Sequence, residues 1–466
     1  MADVQASLPD DSEPIDSGQR GDQVEGSLWR FLIPSLLGVL FFLTPIHTGE
    51  KWTILMGLLS DGATAYIGDA MPWVVLAILT TSALLTPLVS WFGNPFFPKG
   101  HRWSHIVDVT TPWVILRILG AAVAWMIHFQ IGPEFIWHAD TGGVALYSLA
   151  GGIVTIFFFA AFLLPFLTDY GFMEFVGTSF RNVFRWIFRL PGRSAIDATA
   201  SWLAAAAVGI LITVQQYEKG FYSRRESAVI ATNFSISSLP FCVFVVGFIG
   251  LEHMFFSVYG TVVLLGLVAA VIVPRLPPLS RISDEYKPGV CKQIQESKPE
   301  GRSLLQHALS EAKARGEKGP GPGEFLRTAV GHVLDIWLGL LPAVVLIGMA
   351  GMALVEFTPI IHWLASPFVP VLELLQLPEA SKAAPTMLVG FFEMFLPAAI
   401  GQGIESELTR FVVACVSLTQ LIYMSEVGVL LLRSSIPLNF WNLVQIFFLR
   451  TVIVLPLAAG VGHLLF

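Results

Sequence analysis

Apolar residues run through this chain in long blocks, not in the narrow stripes of a soluble protein's surface helices. Blocks at about 28–46, 71–92, 111–130, 144–168, 227–249, 254–274, 331–357, 408–432 and 438–464 carry almost no charge. They approach or exceed the ~20 residues that cross a hydrocarbon core as helix. The pattern predicts an all-α polytopic membrane protein with about nine full spans. Two further apolar segments, Ser194 to Gln216 and Ser381 to Gln402, are short and interrupted. The apolar centre of the first, Trp202–Val214, makes only about 20 Å of helix. The second carries Glu393 and Pro397 near its middle, which argues against a plain span.

These two segments have matching surroundings. Each follows a stretch ending in Leu-Pro (Leu190-Pro191, Leu377-Pro378) and precedes a polar loop with a glutamate (Glu226, Glu407). An apolar helix with a polar patch comes next: Asn233, Ser235, Ser237 and Ser238 in one half, Ser417, Thr419 and Gln420 in the other. Interrupted membrane segments at corresponding places in two repeats point to a binding site. Their exposed backbone groups survive only when buried in protein or beside a polar cavity.

Charge sets the orientation. Loop 93–110 holds Lys99 and Arg102, loop 131–142 holds no Lys or Arg, and 172–190 places Arg181, Arg185 and Arg189 at spacing four. That last stretch reads as an interfacial amphipathic helix. If Ser194–Gln216 crossed the bilayer, Lys219, Arg224, Arg225 and the basic 275–330 segment would all lie outside. If it enters and returns, every basic loop is cytoplasmic, as the positive-inside rule favours. Each repeat then has three full spans, and the odd number inverts one repeat against the other. The expected organisation is an acidic disordered cytoplasmic tail (1–27), about three N-terminal spans (28–143), a first repeat (144–274), a cytoplasmic linker (275–330) and a second repeat (331–466). Each repeat carries one re-entrant hairpin. The expected location is the cytoplasmic (inner) membrane of a bacterium, with the N-terminus inside.

Composition agrees: 54% of residues are apolar, 13% are charged and the mean hydropathy is +0.69, against about 25% charged residues in soluble domains. The net charge of −7 lies largely in the N-terminal tail and gives no footprint for nucleic acid. Cys242, Cys291 and Cys415 are too far apart for a metal or disulfide pattern. No phosphate loop, nucleophile elbow or zinc motif occurs, so neither an enzyme nor a cofactor is expected.

The candidate substrate-binding residues are therefore Thr213, Gln215, Asn233, Ser235, Ser237, Ser238, Glu393, Ser417, Thr419 and Gln420. Pro240 supplies no N–H and frees a carbonyl near Ile236, where Asn and Ser can bind it or a solute. Helix packing is the alternative for the hydroxyls, and helix-end capping for Gln215 and Gln216. Glu393 and Glu426 are candidates for coupling to Na⁺ or H⁺, because a buried carboxylate must be paired or protonated. Their structural alternative is pairing with Lys382, Arg433 or Arg450. Glu226 and Glu407 read as caps at helix starts, and Arg117 as a structural residue that either snorkels or pairs with Asp108 or Asp169.

At its hairpins and following helices the chain resembles the Gate, or nucleoside-recognition, membrane domain, in particular the YjiH-like bacterial group. The motifs are Leu190-Pro-Gly-Arg-Ser-Ala195, Glu218-Lys-Gly-Phe-Tyr-Ser-Arg-Arg-Glu226, Asn233-Phe-Ser-Ile-Ser-Ser238 and Pro274-Arg-Leu-Pro-Pro278. It is more distantly similar to concentrative nucleoside transporters. That resemblance implies a nucleoside held between hairpin tips and partly unwound helices, with Glu393 at the position of the second hairpin's glutamate. The first hairpin departs from that family's Gln-Thr-Glu tip and reads Gly209-Ile-Leu-Ile-Thr213.

Two functions follow as expectations. One is an ion-coupled secondary transporter of a small polar solute, nucleoside or nucleobase first. The other is a non-transporting scaffold or sensor that docks a cytoplasmic partner at 275–330. A bilayer and a homo-oligomer are the remaining partners expected. Cysteines placed at Tyr222 and Glu405 test the topology: 222 should label from the inside and 405 from the outside. Labelling of both from one face would break the inversion.

Overall fold

The computed structural model describes residues 27–47, 52–92, 104–203, 206–234, 237–287 and 303–466. Most of the expected N-terminal tail, Ser235 and Cys291 lie outside the described residues. Helices dominate, and a short ribbon pairs Pro45–His47 with Trp52–Ile54. Seven helices are long and apolar enough to span a bilayer: Leu55–Trp91, Thr111–Phe129, Glu134–Thr168, Glu252–Arg275, Pro322–Glu356, Glu407–Arg433 and Phe440–Leu465.

Two of the nine expected spans take another form. The first block yields a 15-residue helix, Leu28–Phe42. It ends at Phe42, and the chain passes through Thr44, whose hydroxyl bonds the Val39 carbonyl, into the ribbon strand that begins at Pro45. The 227–249 block is split into Arg224–Asn233 and Leu239–Phe248.

The described residues fall into two compact units. One holds residues 60–162 and 320–350; the other holds 27–59, 163–319 and 351–466. In the first unit, Met71–Phe92 packs along Thr111–Phe129. Arg117 there is buried and donates to the Thr86 hydroxyl at 2.9 Å and the Ile106 carbonyl at 2.7 Å. Its hydrogen bonds thus go to neutral acceptors, not to the aspartates expected from sequence.

The second unit contains every described candidate site residue. The expected interfacial stretch is helical over Phe172–Ser179 and Arg181–Val183, then winds more widely through Phe184–Phe188. Phe184 and Phe188 turn inward onto the Phe234 ring, each at 5.0 Å between centroids, while Arg185 and Arg189 are exposed. The 275–330 insertion forms the helix Leu304–Glu317, which buries Ala308, Ala312 and Gly316 against Leu28–Phe42 and Phe172–Ser179. Arg30–Glu317 and Arg315–Glu174 ion pairs flank that contact. The small-residue face of Leu304–Glu317 is therefore covered by its own chain.

Both interrupted segments fold as short helices packed on one another. The first is Ser194–Leu203 with Ala206–Glu218; the second is Thr386–Val389 with Leu396–Gly401, preceded by Ala380–Ala383. Each is clasped at its base. In the first, the Arg193 guanidinium lies 4.0 Å from the Phe221 ring centroid and Tyr222 donates its hydroxyl to Asp197. In the second, Glu379 accepts from the Glu405 and Ser406 amides at 2.8 and 3.0 Å and from Lys382 at 2.6 Å. The Lys382 ammonium and those amides hold Glu379 below its ordinary value of 4.5. A depressed carboxylate stabilises the fold above its unfolded pKa and loses that contribution as acidification protonates it. Glu379→Gln should therefore melt earlier than the native chain at neutral pH. The difference between the two should shrink as pH falls through and below about 4.5. Thermal midpoints measured across that range check both, and a pH-independent difference would contradict the clasp.

Candidate functional site

Two helices of the second unit break in their middles. In the first, Arg224–Asn233 starts with a reciprocal cap: Ser223 accepts from the Glu226 amide, and Glu226 accepts from the Ser223 amide at 2.8 Å. It stops at Phe234, and the chain restarts as Leu239–Phe248 with Pro240 in its first turn. Proline suits that position because its missing N–H would be unbonded there anyway. In the second, Glu407–Gln420 stops at Leu421, which takes a left-handed backbone with φ +61°. For a non-glycine residue that conformation costs roughly 1–2 kcal/mol. Tyr423 is extended, and a wide helical turn, Met424–Gly428, leads into Val429–Arg433.

Each break leaves backbone carbonyls without their helical partners, and Arg450 collects one of them. It lies within the continuous terminal helix Phe440–Leu465 and is fully buried. Its Nε and Nη2 donate to the Thr419 carbonyl at 2.9 and 2.7 Å, and Nη1 donates to Asn233 Oδ1 at 2.9 Å. One guanidinium thus ties the last residue of the first half-helix to the last turn of the second. Asn233 is held for this by its own Nδ2, which donates to the Val229 carbonyl and the Thr232 hydroxyl. Ser237, just past the first break, donates to the Leu418 carbonyl at 3.2 Å and contacts Met394 Sδ. Gln420 donates from Nε2 to the Met387 carbonyl at 3.0 Å and the Thr451 hydroxyl at 2.9 Å. Its Oε1 is buried without a hydrogen-bond partner, and at Gly390 an added Cβ would collide with that oxygen.

The second helix pair closes over this junction. The Met424 and Ser425 amides donate to the Phe391 and Phe392 carbonyls at 2.8 and 3.0 Å, so the turn between its helices is bonded to the unwound part of the second broken helix. Glu393 in that turn accepts from the Phe395 and Leu396 amides at 2.6 and 3.2 Å. Phe395 packs on Phe244 and Phe248 of the first broken helix. Ala206–Glu218 of the first pair packs on Arg224–Asn233 of its own half and also reaches Met424–Gly428 and Val429–Arg433. Each helix pair therefore packs against the broken helix of its own half and also touches that of the other half.

Asn233, Ser237 and Gln420 meet at this junction, and Glu393 lies in the turn of the second helix pair. Thr419 contributes its carbonyl, since its hydroxyl bonds Cys415 and Val416 in its own helix. The Ser417 and Thr213 hydroxyls likewise bond their own helices, at Ala414 and Gly209. Ser238 opens the restarted helix without capping it through its side chain, and Gln215 is half-buried on the first pair. Glu426 accepts from the Tyr423 hydroxyl at 3.3 Å. Lys382 is engaged by Glu379 and Arg450 by Asn233 and Thr419, so of the three cations expected as structural partners of Glu393 and Glu426 (Lys382, Arg433 and Arg450) these two are held elsewhere. Arg450 is the residue that sequence reasoning undervalued. An arginine near the middle of a 26-residue apolar helix is itself a functional signal. A separate cavity of about 350 Å³ lies beside the first half-helix, lined by Arg189, Arg225, Glu226, Arg275 and Asp284 among others; none of the candidate residues reaches it.

Removing the Asn233 acceptor leaves a buried guanidinium short of one bond. Asn233→Leu should cost about 1.5–3 kcal/mol, the worth of a hydrogen bond to a charged group. Ser417→Ala, which loses only a bond within its own helix, should cost no more than about 1 kcal/mol. Denaturation of both variants checks the contrast.

The sequence model of the Gate family, described as nucleoside recognition, matches residues 150–252. That stretch includes the first helix pair and the first broken helix. A solved structure of CNTnw, in its intermediate 3 state, aligns with 93% of this chain and 99% of its own, at 12% identity and a TM-score of 0.38. An uncharacterized protein of Alkalihalophilus pseudofirmus is 49% identical over 442 residues, 94% of each chain. This chain belongs to the same family as that protein, a family of polytopic helical membrane proteins in which it carries a Gate segment.

Proposed function

We propose that this protein is a secondary transporter of a small polar solute, with nucleosides and nucleobases the first class to test. The observation that carries the reading is the junction of two broken helices around Asn233, Thr419, Gln420 and Arg450, inside a chain with seven apolar helices of spanning length. Interrupted helices with buried polar side chains are how transporters build a site within the bilayer. The Gate match, described as nucleoside recognition, supports the solute class.

On this reading the two helix pairs are re-entrant hairpins of inverted repeats, of the YjiH-like kind, in a bacterial inner membrane with the N-terminus inside. Their packing, each against the broken helices of both halves, supports alternating access by movement of one half against the other. Glu393 and Glu426 are the candidates for coupling to Na⁺ or H⁺. Tyr222 is fully buried, so exposed Lys219 replaces it as the inside position for labelling against Glu405.

Purified protein should be stabilised by its solute: a ligand at 100 times its Kd adds about 2.7 kcal/mol. Screening nucleosides and nucleobases with and without Na⁺, at mildly acidic and neutral pH, should give a melting shift that depends on one of the ions. Uptake in cells should fall with Asn233→Ala, Gln420→Ala and Glu393→Gln. Unchanged uptake in all three would remove the site.

A further inference from the structure

The Arg450 guanidinium is fully buried, and its hydrogen bonds go to neutral acceptors: a side-chain amide oxygen and a backbone carbonyl. Among the described residues no carboxylate lies within ion-pairing distance of it. The acidic groups in the helix pairs and in the second broken helix have other partners. Glu393 takes backbone amides and Glu426 takes the Tyr423 hydroxyl, while Asp197 takes Tyr222. A buried charge without a counter-ion is costly, and an arginine remains charged at neutral pH.

Bracing the two helix ends does not require charge. A neutral amide could donate to Asn233 and to the Thr419 carbonyl without that cost. The three bonds also use only three of the five N–H donors of a guanidinium. The remaining two have no acceptor among the described residues. The same junction carries the opposite deficit, the buried Gln420 Oε1 with no donor. Gln420 is held by Thr451, the chain neighbour of Arg450.

We infer that the transported solute is an organic anion, its carboxylate taken by Arg450 and an adjacent N–H donor taken by Gln420 Oε1. This rests on the transporter reading and narrows its solute class. The planar fork of arginine suits a carboxylate. Both protein acceptors that now hold the fork belong to residues at helix breaks, where the backbone is free of its usual ladder and can yield to an incoming anion. The Gate match is compatible with such a solute where the heterocycle itself carries the acid.

Matched pairs that differ by one charge test this on the full-length protein: uracil-6-carboxylate against uracil, glutamate against glutamine, benzoate against benzamide. In at least one pair the anion should bind about tenfold or more tightly than its neutral partner, the worth of one charge-assisted hydrogen bond. Asn233→Asp supplies a carboxylate at the position now 2.9 Å from the guanidinium. That variant should melt higher than the native chain and lose the preference for the anion, and Arg450→Gln should lose the same preference. An Asn233→Asp protein that melts at or below the native temperature would overturn the inference, even with no solute in hand. So would equal or better binding of the neutral partners, which leaves the transporter reading standing. Silence from both members of every pair, and from the nucleoside screen, would overturn both.

Discussion

A helix broken inside an apolar environment exposes backbone carbonyls and amides that water cannot reach, and the second unit is organised around meeting that demand twice. The two breaks are not satisfied separately. Arg450 binds the Thr419 carbonyl of one and the Asn233 side chain of the other. Ser237 crosses from the first break to the Leu418 carbonyl of the second helix, and the unwound 424–425 amides are bonded by the turn of the second helix pair. A junction that satisfies its polar groups across elements specifies how those elements meet. The left-handed backbone at Leu421 is affordable only because so much around it is fixed.

The remaining architecture keeps that junction assembled. The helix pairs are clasped at their bases by different chemistry, a cation over an aromatic ring and a buried tyrosine–aspartate bond in one, a carboxylate on two amides and a lysine in the other. Each packs on the broken helix of its own half and reaches that of the other, so each pair joins the two breaks.

The pattern of apolar blocks made seven long helices legible, because length and hydropathy alone decide them. It also placed both helix pairs, through Leu-Pro boundaries and the glutamate within the second. The first break was readable from Asn233 and Pro240. The second was not, since Leu421-Ile422-Tyr423 contains no glycine, proline or charge; its unwinding is imposed by bonds from Phe391 and Phe392 that lie some thirty residues away. Hydroxyl-rich patches proved ambiguous for a physical reason: Thr213, Ser417 and Thr419 can all bond the carbonyl one turn back, and do. Arg450 was weighed from sequence only as a partner for the glutamates. Its real acceptors are neutral and come from segments 31 and 217 residues away.

If a solute binds where the two broken helices meet, an experimental structure of the protein with its best-stabilising ligand should show it there. Ligand density should be bounded by Asn233, Ser237, Gln420 and Arg450, with the turn at Phe391–Glu393 displaced from its bonds to Met424 and Ser425. Density in the cavity beside Arg225 and Arg275, with the Arg450 junction unaltered, would contradict it.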